Sequence, residues 1–177
     1  LAASPTVLTS WMRAMRTALE RAGCDSVALF RAAGLDVALL ADPEARYPLS
    51  GTTRLWQLAV AATGDSAFGL RVASQISPAS AHAVGFALPT SATLKDAFQR
   101  IARYSRIVTD VGSMELRDHG DEFHVLISTP ANAPHPADEA VDAFVSVQVR
   151  MSRALLDREV SPLRIELCRG VPRERYN

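Results

Sequence analysis

Apolar side chains recur at spacings of three and four residues in the middle of the chain, which predicts an amphipathic helix over residues 93–108. Thr93 is suited to cap this helix, because its hydroxyl can accept a hydrogen bond from a first-turn amide. The apolar stripe of the helix comprises Leu94, Ala97, Phe98, Ile101, Tyr104 and Val108. Because alternating segments follow almost at once, we expect this stripe to lie across a sheet.

The same period predicts five shorter helices before residue 90, separated by glycine and proline. They are expected to begin near Thr9 or Ser10, Asp25 or Ser26, Ser50, Asp65 and Ser77. Residues 1–8 and 41–49 are predicted to be irregular, the latter because Asp-Pro and Tyr-Pro disfavour helical geometry. Gly69 lies inside the fourth helix, where glycine costs about 1 kcal/mol relative to alanine. We therefore expect another element to pack close to the backbone at Gly69.

After residue 108 the period changes from 3.6 to two, which is typical of strands. Two alternating segments around Met114 and Val125 flank a polar turn at residues 119–122, and this arrangement predicts a hairpin. A long helix is expected over residues 138–157, and residues 163–169 alternate again as a further strand. The main face of the long helix comprises Val141, Phe144, Val145, Gln148, Met151 and Leu155.

This order of elements predicts an α+β fold, with several N-terminal helices followed by a small, mainly antiparallel sheet covered by helices 93–108 and 138–157. We interpret residues 1–177 as a single domain, in which residues 1–23 could form a separate N-terminal helix. The first two helices resemble a helix-turn-helix in outline. Their faces are mostly apolar and their arginines few, so DNA binding by this pair is not supported.

Composition narrows the functional classes. Hydrophobic residues make up 48% of the 177 residues, charged residues make up 21%, and the net charge is zero, so nothing in the composition indicates a basic nucleic-acid-binding domain. Neither a signal peptide nor a run of eighteen apolar residues is visible, so we expect a cytoplasmic protein that does not enter a membrane. Cys24 and Cys168 are far apart in sequence and are expected to be reduced thiols.

Candidate chemistry is sparse, and the sequence predicts that the protein is not an enzyme and holds no cofactor. Nucleophile-elbow, zinc-protease, phosphate-loop and dinucleotide-binding motifs are all missing. His82 could ligate a haem or metal, but a structural histidine is the ordinary interpretation. The polar cluster Asp118, His119, Asp121 and Glu122 resembles a metal site, although hairpin ends are commonly this polar.

A binding pocket is the remaining candidate. Trp56, Phe68, Phe86 and Tyr104 lie on faces that are expected to turn inward, between the helices and the sheet. Small-molecule sites are mostly apolar with a few polar groups, which fits rings that carry an N–H and an O–H. Plain core packing is the alternative for each of these four residues.

Four stretches of the chain together resemble a known family: GLDVALLADPEARYPLS, LWQLAVAATGDSAFGLRVA, GFALPTSATLKDAFQRIARYSRIVTD and PLRIELCRGVPRERY. They are similar to the N-terminal effector-binding region of AraC/XylS-type transcription regulators, in the branch that includes ornithine-utilisation regulators. This region is often labelled an arabinose-binding-like domain. The resemblance runs from about residue 24 to the end of the chain.

The resemblance implies a cytoplasmic sensor that binds a small metabolite, amino-acid-like in this branch, and forms a homodimer. DNA contacts in this family belong to a separate C-terminal unit with two helix-turn-helix motifs, and the present chain stops at Asn177 before any such unit. The sugar-binding regulator that names the family uses a β-barrel, whereas this helix-rich sequence favours α+β. A ligand-free dimerisation module is the first alternative function, and a haem or metal sensor that uses His82 is the second.

Overall fold

The computed structural model describes residues 5–76, 91–108, 110–130 and 133–169, with the side chains of 105–108 left aside. Its elements are β1 (Thr6–Leu8), α1 (Thr9–Arg21), α2 (Ser26–Ala32), a 3₁₀ helix (Val37–Ala41), β2 (Arg46–Pro48), α3 (Leu49–Thr63), α4 (Phe68–Ser74), α5 (Leu94–Val108), β3 (Ser113–Asp118), β4 (Phe123–Ser128) and α6 (Asp138–Leu156). The α+β class is confirmed, and the fold is mostly helical. The helix expected over 79–88 lies outside the described residues.

The predicted hairpin is confirmed as the antiparallel pair β3–β4, in which Met114 faces Ile127 and Leu116 faces Val125. Gly120 in the connecting turn has φ of 76°, in the left-handed region that favours glycine. Helix α5 packs against β3, as its apolar stripe predicts. The Phe98 ring on α5 lies 5.8 Å from the Phe123 ring on β4.

A second two-stranded sheet, β1–β2, falls where irregular chain was expected, so the predictions for residues 1–8 and 41–49 are wrong in part. Strands of three residues are too short to show an alternating pattern. Tyr47 on β2 is buried, and its hydroxyl donates to the backbone oxygen of Asp36 at 2.5 Å. Burial, with a smaller contribution from the charge of Asp36, raises the pKa of Tyr47 to about 12.

One hydrophobic core is formed by helices α3, α4 and α6 together with the N-terminal helix α1. Met15 and Leu19 on α1 are fully buried. The Trp11 ring, also on α1, stacks on the Phe144 ring of α6 with their centroids 5.9 Å apart.

The expected close approach at Gly69 is confirmed. A Cβ atom added at Gly69 would lie 2.3 Å from the backbone oxygen of Glu139 and 3.2 Å from Cβ of Asp142. Real Cβ atoms do not come this close to a backbone oxygen, so only glycine lets α4 and α6 pack at this distance. Helix α6 therefore packs mainly against α4 rather than against the hairpin. The hairpin is covered by α5.

Some predicted helix caps are confirmed and others are wrong. Thr93 Oγ1 accepts from the Asp96 amide at 3.1 Å, and Asp25 accepts from the Ala28 amide at 3.0 Å. Helices α1 and α3 instead begin after Leu8 and Pro48, without a side-chain cap. The two short strands β1 and β2 run directly into these helices, and the strand pairing fixes where each helix starts.

The strand predicted over residues 163–169 is wrong for the described chain. This segment forms neither helix nor strand, and residues 161–168 are exposed. Strand geometry requires a neighbouring strand, and the two sheets of the described residues contain only β1–β2 and β3–β4.

Candidate functional site

Trp56 on α3 and Phe68 at the start of α4 are brought together, as the pocket hypothesis requires. Their ring centroids lie 6.4 Å apart with 72° between the ring planes, an edge-to-face contact. Trp56 is only 3% exposed and Phe68 is fully buried. In the structure described here these two rings are therefore part of the packed core.

Tyr104 does not turn inward, so that part of the prediction is wrong. Its side chain is 41% exposed. The buried strip of α5 runs along Ala97, Phe98 and Ile101, and Tyr104 lies at its edge. Phe86, the fourth residue of the predicted pocket, lies outside the described residues.

A small cleft lies between α5 and α6. Its walls are almost entirely apolar, and its lining residues are Leu94, Ala97, Phe98, Ile101, Gln148, Met151, Ser152 and Leu155. The space in this partly open cleft is about 10 Å³, roughly what one water molecule needs. Six of its eight lining residues are apolar, and Gln148 and Ser152 are the two polar ones.

Gln148 has an unsatisfied polar atom at this cleft. Its Oε1 is buried and has no hydrogen-bond partner among the described residues. The neighbouring Ser152 hydroxyl donates to the backbone oxygen of Gln148 at 2.8 Å, so its proton is already used. A buried carbonyl without a partner costs about 1–3 kcal/mol. The side-chain oxygen of Gln148 can thus accept a hydrogen bond from a water or a bound molecule.

Sequence reasoning placed Gln148 on the main face of the long helix without giving it a role. The available signal was its position between Phe144 and Met151, a polar side chain inside an apolar stripe. The polar group of such a residue can have its hydrogen-bond partner in the protein core or in a ligand. Sequence periodicity does not distinguish these two cases.

The helix dipole is a general explanation for acidic residues near the start of a helix. Asp142 on α6 also has a specific ion-pair partner. Arg169 Nη2 lies 2.8 Å from Asp142 Oδ1, and the two side chains are only 12% and 6% exposed. This buried ion pair holds the end of the described chain against the start of α6. Because Asp142 also borders Gly69, the pair lies at the α4–α6 contact.

The polar end of the hairpin is held by local pairs. Asp118 binds the ammonium group of Lys95 on α5, and this hydrogen bond holds the pKa of Asp118 below its usual value. The rings of His119 and His124 lie 4.1 Å apart, and His124 Nε2 is 3.4 Å from Glu122 Oε2. Within the described residues, no three His, Cys, Asp or Glu side chains converge into a metal-binding cluster. His82 lies outside those residues.

Comparison with protein families decides the assignment. A model of the arabinose-binding domain of AraC transcription regulators, N-terminal, matches residues 23–177. The chain belongs to this family. None of the curated proteins shows significant similarity to it.

The chain is thus an effector-binding domain of an AraC-family transcription regulator, and the family is not enzymatic. The family-level resemblance in the sequence is confirmed, while the ornithine-utilisation branch stays a prediction. Cys24 and Cys168 are free thiols in this AraC-type domain. None of its described helices is long and apolar enough to cross a bilayer.

Proposed function

We propose that this AraC-type domain binds a small metabolite between α5 and α6, and that Gln148 is the polar anchor of the ligand. The buried, unpartnered Oε1 of Gln148 is the observation that carries the proposal. Ligand sites are typically apolar with a few polar groups that fix orientation, and the α5–α6 cleft has this composition.

The size of the cleft supports a mechanism that involves movement. A space of about 10 Å³ is too small for a metabolite. Binding would therefore part α5 from α6. Helix α6 is fixed on α4 by the close approach at Gly69, whereas α5 packs on β3 and is bonded to the hairpin through Lys95 and Asp118. The moving unit would be α5 together with the hairpin.

An effector that binds only the open arrangement would bias the domain toward it. The difference between the two arrangements would then reach an attached helix-turn-helix unit, through which the regulator contacts DNA. We further propose that the domain works in the cytoplasm and as a homodimer, as the sequence resemblance implies.

The sequence-derived pocket residues keep a place in this proposal. Tyr104 follows Ile101 of the cleft by three residues on α5, so we propose that its exposed side chain lies within reach of a ligand that enters from that end. Trp56 and Phe68 would act through core packing. Phe86 is proposed as a further wall on sequence grounds alone.

The chemistry of Gln148 constrains the effector. A side-chain amide both donates and accepts hydrogen bonds, so it suits a ligand with an amino, hydroxyl or amide group. Together with the apolar walls, this favours an amino-acid-like metabolite with an apolar body. Isothermal titration with apolar amino acids, basic amino acids and related metabolites is the direct test.

Gln148→Leu is the decisive variant. Replacing the unsatisfied amide with an apolar side chain of similar size should leave the free energy of unfolding unchanged or raise it by about 1–3 kcal/mol. The same change should weaken effector binding about tenfold or more, because the anchoring hydrogen bond is lost. Urea unfolding and isothermal titration measure the two effects.

Gln99→Leu is the matched control, since Gln99 lies on the exposed side of α5. It should leave effector affinity unchanged. Equal affinity of the Gln148→Leu variant and the wild-type chain would rule out the proposed anchor. Absence of binding by the wild-type chain to every candidate would instead favour a ligand-free dimerisation module.

A further inference from the structure

The chain after α6 carries an alternating apolar pattern on an exposed segment, residues 163–167. Leu163, Ile165 and Leu167 are 84%, 50% and 37% exposed. Between them, Arg164 Nε and Glu166 Oε1 form an exposed ion pair of 3.1 Å. A contact between residues two apart places both side chains on one side, as in extended chain. The three apolar side chains are then left on the other side.

The 163–167 segment is held at both ends. Before it, Arg153 Nε of α6 donates to the backbone oxygen of Val160 at 2.9 Å. After it, Arg169 forms the buried ion pair with Asp142. The exposed apolar residues therefore belong to a segment fixed against α6, and no strand of the described residues pairs with it.

The sequence of this segment is complementary to itself. When two copies are placed antiparallel about Ile165, Leu163 faces Leu167 of the other copy, and Arg164 faces Glu166. The three apolar pairs are the two Leu163–Leu167 pairs and Ile165 with Ile165, and both charged pairs join opposite charges. Pro162, which cannot donate a ladder hydrogen bond, lies just before the 163–167 segment and so takes no position in the strand pair.

We propose that the occupant of this surface is a second copy of the chain, and that the two 163–167 segments pair as antiparallel strands around a twofold axis at Ile165. Each copy contributes three apolar side chains to one face of the pair and one arginine–glutamate couple to the other. A twofold contact of this kind uses the same surface patch on both copies. This inference rests on the dimerisation named in the proposed function and assigns its surface.

The pairing surface is small. A stable interface commonly buries roughly 800 Å² per partner, more than a five-residue strand supplies. We therefore expect a dimer of the isolated chain that dissociates on dilution, which makes its strength measurable by sedimentation equilibrium.

Charge reversal tests the register directly. Arg164→Glu and Glu166→Arg each place like charges opposite each other at both cross-strand positions, so each variant alone should dimerise about tenfold more weakly or worse. An equimolar mixture of the two variants restores opposite charges at both positions and should recover the dimer. The double variant R164E/E166R should also dimerise like the wild-type chain. All of these side chains are exposed, so folding is not at risk.

Glu115→Arg is the matched control, because Glu115 forms the equivalent exposed pair with Arg117 on the hairpin. It should leave the dimer unchanged; loss of the dimer in this control would assign the partner surface to β3 and overturn the inference. A wild-type chain that stays monomeric at every concentration overturns both the inference and the proposed dimerisation. A dimer that survives both charge reversals overturns the inference alone.

Discussion

At the level of single side chains, Gly69 has the strictest requirement. Alanine normally stabilises a helix interior by about 1 kcal/mol relative to glycine. At Gly69 the added methyl group would lie 2.3 Å from the Glu139 backbone oxygen, which cannot move without shifting α6. Gly69→Ala should therefore lower the free energy of unfolding by about 1–3 kcal/mol, as overpacking does. Urea unfolding measures this loss.

Gly51→Ala in α3 is the control for this variant. Its added Cβ would lie 2.5 Å from Leu35 Cδ2, the far end of a flexible side chain. Leu35 can rotate away, so Gly51→Ala should cost less than Gly69→Ala. An equal or larger cost for Gly51→Ala would contradict the interpretation that a rigid backbone contact sets the requirement at Gly69.

Residue-level predictions from the sequence succeeded where one local rule applied. A glycine inside a helix indicated a close neighbour, and Thr93 before a helix indicated a cap; both are found. The buried pair Asp142–Arg169 could not be predicted, because its partners are 27 positions apart and each residue type is ordinarily exposed. The prediction that Tyr104 turns inward is wrong, because a tyrosine at the edge of an apolar stripe can be either buried or exposed.

At the level of elements, the orientation of α5 is open to a mutational test. Phe98 is buried against Phe123 of the hairpin. Phe98→Ala should therefore lower the free energy of unfolding by about 3–5 kcal/mol. The exposed Tyr104 on the same helix offers the comparison, and Tyr104→Ala should cost under about 1 kcal/mol. If the two losses measured in urea were reversed in size, α5 would face the other way.

The helices and the hairpin were predictable because each carries several repeats of its own period. Helices α1–α6 and strands β3–β4 all lie where the pattern placed them, within a few residues. Strands β1 and β2 were missed since three residues hold less than two full alternations. Residues 163–167 have a strand pattern without a strand, because pairing depends on a neighbour that local sequence does not encode.

At the level of the whole molecule, the Asp142–Arg169 pair joins the end of the described chain to the core. A double-mutant cycle with Asp142→Asn and Arg169→Met should give a coupling free energy of about 1–3 kcal/mol, since both groups are shielded from water. The exposed Arg164–Glu166 pair should give under about 1 kcal/mol in the same kind of cycle. Coupling of similar size at the two pairs would contradict the shielded position of Arg169.

The candidate site also depends on how the helices pack together in the whole molecule. The sequence alone therefore located only part of it. Periodicity identified both helices that form the cleft and placed Gln148 on the inner face of one of them. It could not show that α6 would dock on α4 and leave a gap beside α5. That gap depends on how closely α4 and α6 approach each other, and so on Gly69.

Lys95 is the only lysine in the sequence, and it joins α5 to Asp118 at the end of the hairpin. Reagents that acylate side-chain amines would consequently attach a dye at one defined position without an engineered cysteine. Acylation also removes the positive charge and its bond to Asp118. Covalent modification of this single side chain would therefore remove the ion pair between α5 and the hairpin and leave the Phe98–Phe123 contact in place.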